Sequence, residues 1–505
     1  MIDNLDSSKS GTFGGIPTNC LKGVSDISAT FLNSVWNNEV LKDQVFSSAL
    51  NNADIVPVYK KDDSTLVKNY RPVSLLPIIS KVFERIMLNQ VTAYMNEYLS
   101  PHLCGYRKGF STQTALTSLI EKWKQILDSK GYGAAVLMDL SKAFDTINHE
   151  LLIAKLFAYG FSKESLTIIL SYLSDRWQHV KINSSFSSWS ELLQGVPQGS
   201  VLGPLLFNIY LNDLFFALKD VEVCNFADDT TPFVCNLDLG TALTKLEENS
   251  AIALTWFEIN YMKLNSDKCH LLVSGHHYEE MFVNIGKDII WESKTVKLLG
   301  ITIDKELKFD KHINLVCSKA NKKLNVLSRM RSFLSGEKRK IIFKSFIESQ
   351  FKYCPLTWMF CSRKSNDQIN RLHERSLRIV YNDFESSYEE LLSKSNSYSI
   401  HDQNIHRLAI EIYKVANGLS TGAFANLFNF KDQYAIHIPS VNTELKGKNS
   451  IRYFGAIIWN AIPLNIKKAT SLHAFKNSIK SWKPNCSCRL CKTYLQGVGF
   501  VNITE

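Results

Sequence analysis

Residues 133–140, GAAVLMDL, form a continuous apolar run of strand length after a glycine-rich turn, the pattern of a central strand buried on both faces. The run ends on an acid, Asp139. A carboxylate leaving an apolar strand is costly unless it is paired or bound to metal. A second stretch, CNFADDTTPFV at 224–234, sets Asp228 beside Asp229 between two short apolar runs, as at the tip of a hairpin. Taken alone, such a pair is usually only solvated. With Asp139 as a third carboxylate, the cluster is self-repelling and calls for a cation, and a site made of oxygens suits Mg²⁺. Two-metal phosphoryl transfer uses such a set, with the ions about 3.5–4 Å apart. Asp145 is read as a supporting acid and Asp213 as a helix-end charge.

The charge distribution points to the same class of partner. The formal net charge is +10, and residues 294–352 hold 15 Lys and Arg against 5 Asp and Glu, so this segment carries the whole excess. A concentrated basic segment suits a polyanion. The 11 cysteines are scattered except for CSCRLC near the end, which fits a reducing compartment better than a disulfide framework. The polar N-terminus has no signal-peptide core, and no apolar run approaches a membrane span. The expectation is an intracellular protein, nuclear or cytoplasmic, with no membrane partner.

Along the chain, ADIVPVYKK, DDST and NYRPVSLLP read as strand, turn and strand. Helices are expected over 78–98 and 111–128, the second capped by Ser111 or Thr112, then over 241–262 and 365–381. KCHLLVS and VKLLGITID read as two further strands. Over 310–334, Ile313, Val316, Ala320, Leu324 and Leu327 recur every three or four residues, and Lys319, Lys322, Lys323 and Arg329 fall largely off that stripe. This is an amphipathic helix with a basic outer face.

The blocks NYRPVSLL, GYRKGFSTQTAL, VLMDLSKAFDTINH, GVPQGSVLGPLLFNIYLNDL, FADDT, MKLNSDKCHLLV and KLLGITID occur in this order. Together they resemble the reverse transcriptase of a non-LTR retrotransposon of the LINE type, close to the jockey and CR1 groups. KSFIESQFKYCPLTW, LHERSLRIVYND and SIRYFGAIIWNAIP are similar to the region that follows the core in such elements. The resemblance implies an α+β right-hand polymerase: fingers and palm with an antiparallel sheet over 56–290 and a basic helical thumb with the primer grip over 291–385. An N-terminal extension (1–55) and a mostly helical C-terminal region (386–505) flank them. It implies RNA-directed DNA synthesis by nucleotidyl transfer from a dNTP to a primer 3′-hydroxyl, with an RNA template, a DNA primer and two Mg²⁺ ions, for which Mn²⁺ can substitute.

Carried over by position, Asp139, Asp228 and Asp229 would be the metal-binding acids, and Lys268 a general acid beside the leaving pyrophosphate. Lys60, Lys61 and Arg71 would meet the triphosphate. Leu140 and Phe144 would lie at the incoming nucleotide, where the Phe144 ring would exclude a ribose 2′-hydroxyl. Gln198 and Gly199 would lie against the nascent base pair, with Gly195 and Gly199 freeing the backbone there. Leu299 and Gly300 would form the primer grip, and Lys319, Lys322, Lys323 and Arg329 would track the duplex phosphates. Zinc at Cys486, Cys488 and Cys491 is disfavoured, since three cysteines fall short of the usual four ligands and His473 would be an arbitrary fourth.

Complete elements of this kind carry an endonuclease domain before the polymerase, and the segment before residue 60 is too short for one. The chain is thus expected to be the polymerase half of such an element, dependent on an endonuclease supplied in trans. Two other readings remain open at this point. One is a catalytically silent RNA-binding remnant; the other is an RNA-templated RNA polymerase on the same palm, against which Phe144 counts.

Overall fold

In the computed structural model, which describes residues 1–8, 11–12, 15–420 and 422–484, the apolar run becomes the strand Tyr132–Leu137, buried from Gly133 onward. The cysteine tail lies outside the described residues. The chain divides into two compact units. The first comprises Met1–Tyr106, Asp139–Lys219 and Ala251–Asn265; the second comprises Arg107–Met138, Asp220–Ser250 and Ser266–Glu505. The chain passes from the second unit to the first between Met138 and Asp139.

In the second unit, Tyr132–Leu137 lies inside a four-stranded antiparallel sheet. Its neighbours are His270–Ser274 on one side and Asp229–Asn236 on the other, with Glu222–Phe226 beyond. The helix Thr112–Asp128 packs against this sheet and starts at a capping box in which Ser111 accepts from the Thr114 amide. Ser111 is therefore the cap, and Thr112 the first helical residue.

In the first unit, Ala53–Tyr59 and Tyr70–Leu75 form the expected hairpin, with Tyr59 opposite Tyr70. The same sheet continues through Trp177–Ile182, which runs parallel to Ala53–Tyr59. The expected antiparallel sheet is the four-stranded one of the second unit, and the first unit's sheet is mixed. Parallel neighbours need a long connection, and more than 100 residues separate these two strands.

VKLLGITID is not one strand but a hairpin, Thr295–Leu298 against Ile301–Asp304. Leu299 (φ +45°) and Gly300 (φ +82°) form its two-residue turn. Two successive positive φ angles are what a tight hairpin needs, and glycine takes the second without strain. The basic helix spans Asp310–Arg329 and buries Ile313, Cys317, Ala320, Leu324 and Leu327, with Val316 only half-buried.

At its far end, the helix Thr112–Asp128 meets the C-terminal region through one buried carboxylate. Asp128 accepts from the amides of Asn442 (3.0 Å) and Thr443 (2.7 Å) and from the Thr443 hydroxyl (2.8 Å), with Arg452 at 3.6 Å. Burial pushes its pKa up, but these hydrogen bonds and the Arg452 charge outweigh it and hold the group below its ordinary 3.8. Asp128→Ala is expected to cost about 2–4 kcal/mol in a denaturant melt, since it strands buried donors and a half-buried guanidinium. A depressed folded-state pKa stabilises the fold above the unfolded value, so this contribution is full above 3.8 and is lost as pH falls through the lower folded value.

Candidate active site

One end of the second unit's sheet carries Asp228, Asp229 and Lys268. Leu137 pairs with His270, and Met138 donates its amide to the Thr230 carbonyl (3.0 Å). The C-terminal end of the central strand therefore lies between the start of Asp229–Asn236 and the start of His270–Ser274. The turn carrying Asp228 and Asp229 and the short 3₁₀ turn Ser266–Lys268 stand at that same end. Asp228, Asp229 and Lys268 are all exposed.

The turn itself is tightly held. Phe226 pairs with Asp229, so Ala227 and Asp228 make a two-residue connection. Ala227 is buried at φ +57°, a conformation that costs a non-glycine residue about 1–2 kcal/mol. The buried Asn225 offsets this by donating from Nδ2 to the carbonyl of Ala227 (3.0 Å) and the Thr230 hydroxyl (3.1 Å). Asn225 is the anchor of this turn, and the sequence reading does not single it out. Strain held in place by a buried amide fixes where the two carboxylates stand.

Asp139 belongs to the first unit, where the Asn265 amide donates to its carbonyl (2.9 Å). Leu140 is buried and pairs with Leu264. The loop that carries Gln198 is anchored at every step. Gly195 donates to the Ile147 carbonyl (2.7 Å), Val196 to that of Phe144 (3.0 Å), and Ser74 to that of Gln198 (2.7 Å). The Gln198 side chain donates to Asp145 Oδ1 (2.9 Å). Gly199 sits at φ +125°, where an added Cβ would come 2.7 Å from the Ser74 carbonyl oxygen.

The last anchor is Glu84, fully buried, whose Oε2 accepts from the amides of Val201 (2.6 Å) and Leu202 (3.0 Å). Burial raises its pKa, against the pull of those two amides and of Arg176. Glu84→Ala leaves both amides without a partner and is expected to lower stability by about 2–4 kcal/mol. Glu84→Gln, which still offers one oxygen, should cost less than half as much in the same thermal melt.

Phe144 stacks face to face on Phe207 (4.4 Å, 10°) and edge-on to Tyr106 (6.0 Å, 86°). Lys60, Lys61 and Arg71 are exposed at one end of the first unit's hairpin. The Lys60 amide donates to Asn69 (2.8 Å), and Lys61 stands 3.9 Å from Asp62. Asp213 accepts from Lys155 (2.7 Å), so it is an ion-pair partner and no rival to Asp139. In the second unit Lys319, Lys322 and Arg329 are exposed and Lys323 is half-exposed on the outer face of the basic helix.

The donors at the sheet end are carboxylate oxygens, which suit a hard divalent cation. Asp228 and Asp229 stand together. Among the described residues, however, no group of three or more His, Cys, Asp or Glu side chains is placed so as to hold a metal ion. No described helix is long and apolar enough to cross a membrane.

Residues 58–303 match the family described as reverse transcriptase (RNA-dependent DNA polymerase), a family that generally uses divalent metal ions. The chain is 27% identical to the probable RNA-directed DNA polymerase from transposon BS of Drosophila melanogaster, over 75% of this chain and 43% of that protein. It is 26% identical to the RNA-directed DNA polymerase from mobile element jockey of the same fly, over 70% of this chain and 40% of the relative. The chain thus spans about two fifths of the length of these relatives. A telomerase structure from Candida albicans aligns over 74% of this chain and 70% of that one, with 11% identity and a TM-score of 0.41. Residues 58–303 thus match the reverse transcriptase family, and the similar proteins include the RNA-directed DNA polymerases of the BS, jockey and X-element non-LTR retrotransposons.

Proposed function

We propose that the chain extends a DNA primer on an RNA template. The observation that carries this reading is the Asp228–Asp229 turn, clamped by Asn225 at the end of a buried sheet inside the segment that matches the reverse transcriptase family. The primer 3′-hydroxyl attacks the α-phosphate of a dNTP in line, and pyrophosphate leaves. Asp139, Asp228 and Asp229 are the acids that would hold divalent cations, which would supply a more acidic hydroxyl and neutralised phosphate charge. Lys268 hands a proton from Nζ to the leaving pyrophosphate. Arg71, with Lys60 and Lys61, binds the triphosphate, where a guanidinium forks onto phosphate oxygens.

Leu140 lies at the incoming nucleotide, Gln198 and Gly199 border the nascent base pair, and the anchored loop keeps Gln198 from wandering. Leu299 and Gly300 form the primer grip. Lys319, Lys322, Lys323 and Arg329 follow the duplex phosphates, which position the duplex without reading sequence. In this reading 56–290 are fingers and palm, and 291–385 grip and thumb.

The deciding experiment is primer extension on poly(rA) annealed to oligo(dT), with dTTP and Mg²⁺ or Mn²⁺. Extension is the expected result. A folded protein that binds the duplex and adds no nucleotide would overturn the reading in favour of a silent RNA-binding remnant.

A further inference from the structure

We propose that Tyr353 is a positioning residue of the polymerase, a latch that fixes the Leu299–Gly300 turn and through it the primer terminus. The proposal rests on the reading of that turn as the primer grip. Three contacts in the second unit carry it. The Tyr353 hydroxyl donates to the Leu299 carbonyl (2.7 Å). Its ring lies on Gly300, where an added Cβ would come 3.1 Å from Tyr353 Cε1. Its own carbonyl accepts from the indole of the buried Trp358 (3.2 Å).

The tyrosine is therefore fastened from behind by the core and touches both residues of the turn in front. The next residue, Cys354, sits at φ +42° and caps the short helix Pro355–Trp358, and its sulfur lies 3.3 Å from the hydroxyl of Thr112. The backbone that presents the ring is thus set by its surroundings rather than by a mobile loop. A turn of two residues with positive φ has few internal hydrogen bonds of its own, so a latch from outside has a clear role.

Burial raises the Tyr353 pKa, so the hydroxyl remains protonated, and a donor, throughout the pH range in which a polymerase is assayed.

The test is Tyr353→Phe, which removes one oxygen and keeps the ring on Gly300. In single-turnover addition of dTMP to oligo(dT) on poly(rA), the rate is expected to fall about 3- to 10-fold, the scale of one lost hydrogen bond. Duplex Kd and Tm should stay as in the wild type. Hydrogen exchange over Thr295–Asp304 should quicken. Tyr353→Leu, which also lifts the ring off Gly300, should slow addition further.

An unchanged rate in both variants would overturn the proposal. So would a rate loss matched by weaker duplex binding and a lower Tm, because a merely structural tyrosine does that. If the wild type extends nothing, the polymerase reading fails on its own account. Exchange over Thr295–Asp304 then decides the latch: quickening in Tyr353→Phe sustains it and unchanged exchange overturns it.

Discussion

Asp228→Asn is expected to abolish primer extension, with a loss on the order of 10³-fold or more, while the protein folds and binds duplex as before. The two halves of this expectation have separate physical grounds. Asp228 is exposed at the tip of its turn, and the turn is held by Asn225 and by the pairing of Phe226 with Asp229. An isosteric amide at an exposed turn position should change stability by less than about 0.5 kcal/mol. Removing one negative charge from a cation-binding set, in contrast, removes electrostatic stabilisation that is needed most as charge builds on the reacting phosphate. Asp229→Asn should lose less, because the resemblance gives Asp229 only an assisting role. Steady-state extension, duplex binding and a thermal melt on the same preparations separate these effects. Residual extension within tenfold of wild type would sink the assignment of Asp228.

The elements that could be read from the sequence are those with a local signal. The apolar run 133–140 and the FADD hairpin are patterns within ten or so residues, and both stand where the pattern puts them. Ser111 announces its helix by capping chemistry, and the basic helix shows its period of three to four. The turn inside VKLLGITID has its own signal, a lone glycine between two apolar stretches.

What stayed hidden is long-range. Glu84 finds its amides 117 and 118 residues away, and Asp128 finds Asn442 and Thr443 at separations of 314 and 315. A buried carboxylate that ties distant backbone amides has no spacing to betray it. Asn225 is different: its partners are two and five residues on, but an Asn in a strand looks like any polar side chain until its burial is known. The interleaving of the two units is equally invisible, because the chain crosses between them inside blocks that read as continuous.

Phe144→Ala is expected to raise the use of UTP relative to dTTP on a poly(rA) template by on the order of 10²-fold. A side chain can exclude a hydroxyl by shape only if it cannot step aside. Phe144 meets that condition: its ring is stacked on Phe207 and edge-on to Tyr106, and its carbonyl accepts from Val196. Truncation removes the wall and part of a half-buried aromatic contact, so a stability loss of about 1–3 kcal/mol should accompany the change. Phe144→Leu, which fills more of the same space, should fall between the two in both respects. The ratio of kcat/KM for UTP to that for dTTP is the quantity to measure, because a general loss of fold lowers both and leaves the ratio alone. A wild type that prefers UTP would favour the RNA polymerase reading. If dTTP use falls in Phe144→Ala and the ratio stays put, Phe144 is a packing residue for the helix Gly203–Leu211, and sugar selection must be sought in another side chain.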